Sequence, residues 1–288
     1  MGDLASQVSL FIFFKIVVYQ TIVSYTTFYN IDSKNILSYN SAIDNFDYFQ
    51  NMLKIGHRGA RGYAPENTLK SFQKAIELGV DAIELDVQIC KSGELVVIHD
   101  DAVDRTTNGS GLVKKLKLKD LKKLDAGEGE RIPTLEEVFD LVNRQVKINI
   151  ELKGPKTAKP VMELIDEYVK TKRWSEDDFI VSSFIRREIK EARVLSPLIQ
   201  IGVLISKPRL IDRWSFRFAQ KICASFIGPG KKFITKRFVR NAHKHGLRIF
   251  VWTGNDLKNI NSYAKDITKL KRFDIDGIFS DYPDRLNG

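Results

Sequence analysis

From Met52 onward, short apolar runs alternate with segments in which apolar residues recur every three or four positions. The short runs predict buried strands, and the three-to-four spacing predicts amphipathic helices. In one such helix, Leu69, Phe72 and Ile76 fall on one face. The predicted strands are Leu53–Gly56, Ala82–Val87, Leu95–Ile98, Val146–Leu152, Phe179–Ser182, Ile199–Leu204, Ile222–Phe226, Arg248–Trp252 and Ile275–Phe279.

The predicted helices lie between these strands. They are Thr68–Leu78, Thr134–Asn143, Pro160–Lys170, Arg187–Leu195 and Thr235–His245. Strands that alternate with helices require a parallel sheet with crossover connections. About eight such units over ~240 residues predict an α/β fold of the (β/α)8 TIM-type barrel. A doubly wound open sheet is the alternative, but no glycine-rich phosphate loop follows the first strand.

The first 51 residues have a different composition, because they are rich in Ser, Thr, Tyr, Asn and Phe and poor in charge. Val8 to Tyr19 is almost wholly apolar, yet polar residues on both sides dilute a span of the roughly 20 apolar residues that a membrane-crossing helix needs. We expect residues 1–51 to lie outside the fold, either as a misassigned start or as a weak membrane anchor. The barrel domain is then 52–288, and translation would begin at Met52.

The net positive charge of the chain favours an anionic ligand but does not identify it. The chain carries 46 basic and 36 acidic residues, a formal net charge of +10. Such an excess attracts nucleic acid, an anionic membrane surface or a small phosphorylated substrate. Since no zinc-finger spacing or aromatic–glycine RNA-binding motif accompanies it, we expect no nucleic-acid partner. The two cysteines make no disulfide framework, which favours a reducing, cytoplasmic location.

Polar side chains gather where the predicted strands end. They are His57 and Arg58, Glu84 and Asp86, His99 and Asp100, and Glu151 and Lys153. Side chains two apart in a strand share a face, so Glu84 and Asp86 point together. In a barrel the carboxyl ends of the strands converge on one mouth, where active sites are found. We therefore expect Glu84, Asp86 and Glu151 to meet there.

Three adjoining carboxylates repel one another unless a proton or a cation neutralises them. An all-oxygen cluster suits a hard divalent ion, Mg²⁺ or Ca²⁺, better than zinc. The chain has only four histidines, and His57 and His99 follow two separate strands at this mouth. Two such histidines can act as general base and general acid. Surface ion pairs are the ordinary alternative for a single strand-end acid, but not for the whole set.

Read in order, the motifs resemble the glycerophosphodiester phosphodiesterase family. They are Gly56–Ala60, Pro65–Thr68, Glu84–Val87, His99–Asp100, Arg105–Gly109, Ile132–Leu135, Glu151–Lys153, Val251–Thr253 and Asp276–Ile278. Each string is weak alone, whereas the ordered set over about residues 53–285 is specific. The ending Ser280–Pro283 varies a common Thr-Asp-x-Pro pattern, a change that we expect not to touch the chemistry.

The resemblance implies hydrolysis of glycerophosphodiesters to sn-glycerol 3-phosphate and an alcohol, with one divalent cation. By the family pattern, Glu84, Asp86 and Glu151 would ligate the ion, and His57 and His99 would move protons. The same pattern implies that Arg58 and Lys153 bind the phosphate. Trp252 lies on a later predicted strand, where it would either line the pocket against the glycerol carbons or fill the barrel core.

Two alternatives remain at this point. A related phospholipase of the D or C type would act on lysophospholipids at a membrane, with contact possible only through residues 1–51. A non-catalytic barrel would bind phosphodiesters without cleaving them, but no histidine or carboxylate of the set is missing. The sequence does not decide which histidine is the base, or whether the nucleophile is water or the glycerol 2-hydroxyl.

Removal of residues 1–51 should leave an active protein, because the first strand of the domain begins directly after them. The measurement is the diesterase activity and solubility of the 52–288 chain beside the full chain. Insolubility or loss of activity would show that the extension belongs to the fold.

Overall fold

The computed structural model describes residues 52–206, 215–252 and 267–286. The predicted extension 1–51 lies outside the described residues, so its assignment stays a prediction. Within the three described ranges, no helix is long and apolar enough to cross a membrane.

Eight parallel strands in the described ranges close into a barrel. The strands of the described residues are β1 (Leu53–Gly56), β2 (Ala82–Ile89), β3 (Leu95–Val97), β4 (Lys147–Leu152), β5 (Phe179–Ser183), β6 (Gln200–Ile205), β7 (Phe226–Pro229), β8 (Arg248–Trp252) and β9 (Gly277–Ser280). All except β3 are barrel strands, paired in the order β1-β9-β8-β7-β6-β5-β4-β2. The ring closes where Ile55 of β1 pairs with Ala82 of β2. The predicted (β/α)8 architecture is confirmed.

Helices cover the outside of the ring. They are α1 (Leu69–Glu77), α2 (Leu118–Leu121), α3 (Leu135–Val142), α4 (Ala158–Thr171), α5 (Arg186–Leu195), α6 (Phe216–Lys221) and α7 (Lys236–Lys244). At the start of α3, Thr134 accepts a hydrogen bond from the backbone N–H of Glu137, whose carboxylate accepts one from the N–H of Thr134. This reciprocal pair satisfies two N–H groups that have no partner inside the helix.

Two predicted strands need correction. Leu95–Val97 is extended, but it pairs antiparallel with the far end of β2 and is not a barrel strand. The run Ile222–Phe226 is not a strand, since Ile222 caps α6 and β7 starts only at Phe226. Both errors have one cause: a short apolar run shows burial without showing direction or helix ends.

Two apolar layers pack on either face of the strands. Outward-facing residues such as Ile83, Leu85 and Ile150 pack with the helices in the larger layer. The smaller layer fills the barrel interior and consists of Leu53, Ile55, Ala82, Ile180, Leu204, Phe226, Phe250 and Phe279. Ala82 shares its face of β2 with Glu84 and Asp86. The inward face of β2 therefore changes from apolar to acidic toward the carboxyl end of the strand.

The interior depends on Gly202 of β6. Its register partner is Phe226 of β7, and a Cβ added to Gly202 would lie 1.9 Å from that ring. The ring also stacks on Phe250, with centroids 4.2 Å apart. A glycine is thus required where a phenylalanine fills the space beside it.

Gly202→Ala should lower the free energy of unfolding by about 1–3 kcal/mol, the usual effect of overpacking a filled core. Urea unfolding followed by circular dichroism measures it. The second change Phe226→Leu, which removes ring atoms at the clash, should recover part of the loss. An unchanged midpoint in Gly202→Ala would contradict this view of the interior.

Candidate active site

The three predicted carboxylates meet at the mouth. Glu84 and Asp86 point inward from β2, and Asp86 lies beside Glu151 of β4 in the strand register. One carboxylate oxygen from each of the three lies within 4.8 Å of the others. All three residues are buried. Their oxygens form a compact set of negative ligands that can hold a metal ion.

Burial and mutual repulsion make it unfavourable to ionise all three carboxylates of this cluster. Burial, and then repulsion from Asp86 and Glu151, raises the pKa of Glu84 well above its ordinary value. Burial and repulsion from Asp86 raise the pKa of Glu151 to about 7. Burial also acts to raise the pKa of Asp86, but Arg58, His99, Lys153 and the hydrogen bond from Asn67 together outweigh it, and the pKa is lowered. Asp86 is thus the acid most readily ionised.

One observation tests whether a cation fits. Asp86 Oδ1 is buried and has no hydrogen-bond partner, a cost that native structures rarely leave uncompensated. Its other oxygen, Oδ2, accepts a hydrogen bond of 2.9 Å from Asn67. Lys153 Nζ lies 3.8 Å from Asp86 Oδ1, too far for a hydrogen bond. A hard divalent cation takes several oxygen ligands, so Asp86 Oδ1 and its two acidic neighbours fit such an ion.

Two basic side chains border the acids. Arg58 Nε lies 3.3 Å from Asp86 Oδ2, and the backbone N–H of Arg58 donates to Glu84 over 2.8 Å. Lys153 Nζ lies 2.9 Å from Glu151 Oε1. Arg58 has a positive φ of 52°, which is uncommon outside glycine and marks a backbone held by its surroundings. These two cations supply positive charge on both sides of the cluster.

The ring of His57 is held in place by the buried ion pair between the side chains of Asp281 and Arg61. Its Nδ1 lies 2.6 Å from Asp281 Oδ1, and Arg61 holds both oxygens of Asp281, at 2.6 and 2.9 Å. Burial lowers the pKa of His57 to about 4, against the opposing effect of Asp281. The neutral ring therefore carries its proton on Nδ1 and offers Nε2 as a proton acceptor.

His99 is held by a longer chain of ion pairs. Its Nδ1 lies 2.5 Å from Asp100, and Asp100 accepts from Arg105. Arg105 in turn donates to both oxygens of Glu66, and Glu66 accepts from Arg58 over 2.7 Å. The chain thus joins His99 to the arginine beside the acids. The other ring nitrogen, Nε2, lies 3.1 Å from Lys153 Nζ.

β3 explains how His99 reaches the mouth. β2 runs past the level of the acids, and the antiparallel β3 brings the chain back, so that the N–H of Ile98 donates to the carbonyl of Asp86. The sequence predicted His99 at the mouth because Leu95–Ile98 has the pattern of a barrel strand. In the structure, the antiparallel pair of β2 and β3 brings His99 there instead.

A cavity of about 280 Å³ lies at this mouth. It is lined by His57, Arg58, Glu84, His99, Asn149, Glu151, Lys153, Phe184, Leu204, Trp252 and Phe279. Asp86 lies behind this lining. The polar groups occupy the side of β1, β2 and β4, and four apolar residues form the opposite wall. Trp252, half-buried, belongs to that wall and donates its Nε1–H to the carbonyl of Gly228.

Sequence reasoning missed two groups. Asp281 lies 224 positions from His57 and holds this histidine through Nδ1, a contact that the sequence did not predict. Asn149 lines the cavity with its Oδ1 buried and unpartnered. A signal for Asn149 was present, because it lies two residues before Glu151 on the same face of β4. No local signal could link Asp281 to His57.

A (β/α)8 barrel that gathers acids, two basic side chains and two oriented histidines in one cavity has the features of a phosphodiester hydrolase. The chain matches the Glycerophosphoryl diester phosphodiesterase family over residues 57–285. It is 39% identical over 247 residues to a glycerophosphodiester phosphodiesterase of Caldanaerobacter subterraneus, covering 81% of this chain and 96% of that protein. The protein belongs to the glycerophosphoryl diester phosphodiesterase family.

Further comparisons agree in sequence and structure. A glycerophosphodiester phosphodiesterase of Bacillus subtilis is 32% identical over 254 residues, covering 81% of this chain and 84% of that protein. A phosphodiesterase of Oleispira antarctica, solved in complex with the product sn-glycerol 3-phosphate, superimposes with a TM-score of 0.71. It is 31% identical, and the match covers 81% of this chain and 94% of that one.

Asp281→Asn should reduce kcat by about two to four orders of magnitude, because the amide no longer fixes the ring of His57 in the proton-accepting tautomer. Steady-state kinetics on a glycerophosphodiester measures the loss. Asp284→Asn is the matched control, since its carboxylate only accepts from the exposed Tyr63 hydroxyl. A nearly wild-type rate in folded Asp281→Asn would remove Asp281 from the site.

Proposed function

We propose that this family member hydrolyses glycerophosphodiesters to sn-glycerol 3-phosphate and an alcohol through the residues gathered at the barrel mouth. One observation carries the assignment of residues: acids, two basic side chains and both histidines converge on a single cavity. The relative solved with sn-glycerol 3-phosphate supports a small-molecule substrate of this kind.

We propose that Glu84, Asp86 and Glu151 hold one divalent cation, Mg²⁺ or Ca²⁺. The support is the short separation of their oxygens and the unpartnered Asp86 Oδ1. A bound cation would withdraw negative charge from the phosphodiester. It would also relieve the repulsion that, after burial, raises the pKa of Glu84 and Glu151.

Arg58 and Lys153 bind the phosphate in this proposal. Both line the cavity, and nearby carboxylates raise the pKa of Lys153 although burial acts against them, so that both groups are charged at neutral pH. Charge-assisted hydrogen bonds from such donors orient the diester and offset its negative charge. Trp252 lines the apolar wall, where the glycerol carbons would lie.

The two histidines divide the proton transfers. Because the pKa of His57 is lowered to about 4, its ring is neutral and its Nε2 is unprotonated. We therefore assign His57 as the base that takes a proton from the nucleophile. His99 has a lowered pKa through burial, opposed by Asp86, and we assign it as the acid that protonates the departing alcohol oxygen. The assignment of His99 rests on Asp86 and Asp100, whose negative charges favour its protonated form against the effect of burial.

The testing experiment is release of sn-glycerol 3-phosphate from glycerophosphoglycerol, with Mg²⁺ or Ca²⁺ added. His57→Ala and His99→Ala should each lower kcat by about two to four orders of magnitude. Absence of product from the folded wild-type protein with either metal would reject the proposed function.

A substrate with p-nitrophenol as its alcohol separates the two histidines. This alcohol leaves without a proton, so an acid is not needed. His99→Ala should regain most of its lost rate on that substrate, whereas His57→Ala should not. Recovery in His57→Ala alone would reverse the assignment, and a nearly wild-type rate from either variant on both substrates would remove that histidine from the mechanism.

A further inference from the structure

Charge is distributed unevenly around the barrel mouth. Most acids of the site lie on β2 and β4 or follow β1 and β3, and Asp281 follows β9. The stretch from Ser215 to Trp252, which builds α6, β7, α7 and β8, has nine basic residues and no acidic one. The sequence of this side of the barrel thus carries an excess of positive charge.

Four basic residues of this stretch and two at the start of the neighbouring α5 lie near the mouth, because helices of a barrel begin at the carboxyl ends of the strands. We call them the basic rim: Arg186, Arg187, Arg217, Lys232, Lys236 and Arg237, at the starts of α5, α6 and α7 or just before α7. All six are exposed. Within the described part of the chain, none of them forms an ion pair. The rim therefore presents its positive charge to anything that enters the mouth from this side.

The cavity wall beneath the rim also disfavours a cation. Phe184 and Trp252 meet edge to face, with centroids 6.1 Å apart. Such aromatic pairs can bind a quaternary ammonium group through their faces. Lys153 Nζ, however, already lies over the Phe184 ring, 5.7 Å from its centroid. A second cation on that face would be repelled by the lysine, which Glu151 holds in place.

We propose that the basic rim and the lysine-occupied aromatic wall make the protein select diesters whose second alcohol is uncharged or anionic, such as glycerol or inositol, over diesters of choline. This inference rests on the proposed function and specifies its substrate class. A positive rim increases the local concentration of a diester with net charge −1. It gives no such advantage to glycerophosphocholine, whose choline cation cancels the phosphate charge.

The test compares kcat/KM for glycerophosphoglycerol and glycerophosphocholine in the full-length protein with added metal. We expect the glycerol substrate to be preferred by about fivefold or more at low ionic strength, within the range of electrostatic steering. Raising the salt to about 0.5 M should reduce the preference, because screening shortens the reach of exposed charges. Equal rates, or faster hydrolysis of the choline substrate, would overturn the inference while leaving the proposed function standing.

Two variants, each with three basic residues replaced by Glu, test whether the substrate preference depends on the basic rim. In the rim variant, Lys232, Lys236 and Arg237 become Glu, and the preference should fall several-fold. In the control variant, Lys172, Lys221 and Lys244 become Glu. These three are exposed at the C-terminal ends of α4, α6 and α7, toward the other end of the barrel.

The two variants have the same net charge, so only the position of the charge differs. The control should keep the wild-type preference. An equal change in both variants, or no change in the rim variant, would overturn the inference. Failure of the wild-type protein to cleave either substrate would instead reject the proposed function, on which the inference depends.

Discussion

The burial of three carboxylates within 4.8 Å of one another is the constraint on which the rest of the site depends. Burial and repulsion between them raise the pKa of Glu84 and Glu151, so the protein must supply positive charge or a proton. Arg58 and Lys153 supply part of that charge, and we propose that they also bind the phosphate. The same charges that make the cluster tolerable thus prepare the cavity for an anionic substrate.

Ion pairs behind the cavity fix the groups that face it. Asp281 and Arg61 orient His57, while Asp100, Arg105 and Glu66 connect His99 to Arg58. Burial makes the Asp281–Arg61 pair rigid, since a buried charge that loses its partner is strongly destabilising, whereas the pairs around Arg105 are partly exposed. The histidines therefore differ in pKa and in hydrogen bonding although they line one cavity. We infer that this difference separates the base from the acid.

The sequence predicted the barrel well because the buried residues of its strands and helices are apolar and recur at the spacing typical of each element. It also placed Glu84, Asp86 and Glu151 together, since strand parity and the convergence of barrel strands are general rules. It failed where contact depends on tertiary structure alone. The antiparallel direction of Leu95–Val97 and the link from Asp281 to His57 leave no periodic signal. The helix Phe216–Lys221 was missed because it is short, and the apolar run after it was mistaken for a strand.

The most direct test of the account is the melting temperature of the wild-type protein and Glu84→Gln, each in EDTA and in excess Mg²⁺ or Ca²⁺. A hundredfold excess over Kd should stabilise the wild type by about 2.7 kcal/mol, or roughly 5–10 °C. Because Gln resembles the protonated Glu84 favoured without metal, the variant should melt no lower than wild type in EDTA and should gain much less from metal. Glu77→Gln, on the exposed face of α1, should respond like wild type. A wild-type melting temperature that ignores EDTA and both metals would contradict the account, and the acids would then form an ion-pair network with Arg58 and Lys153.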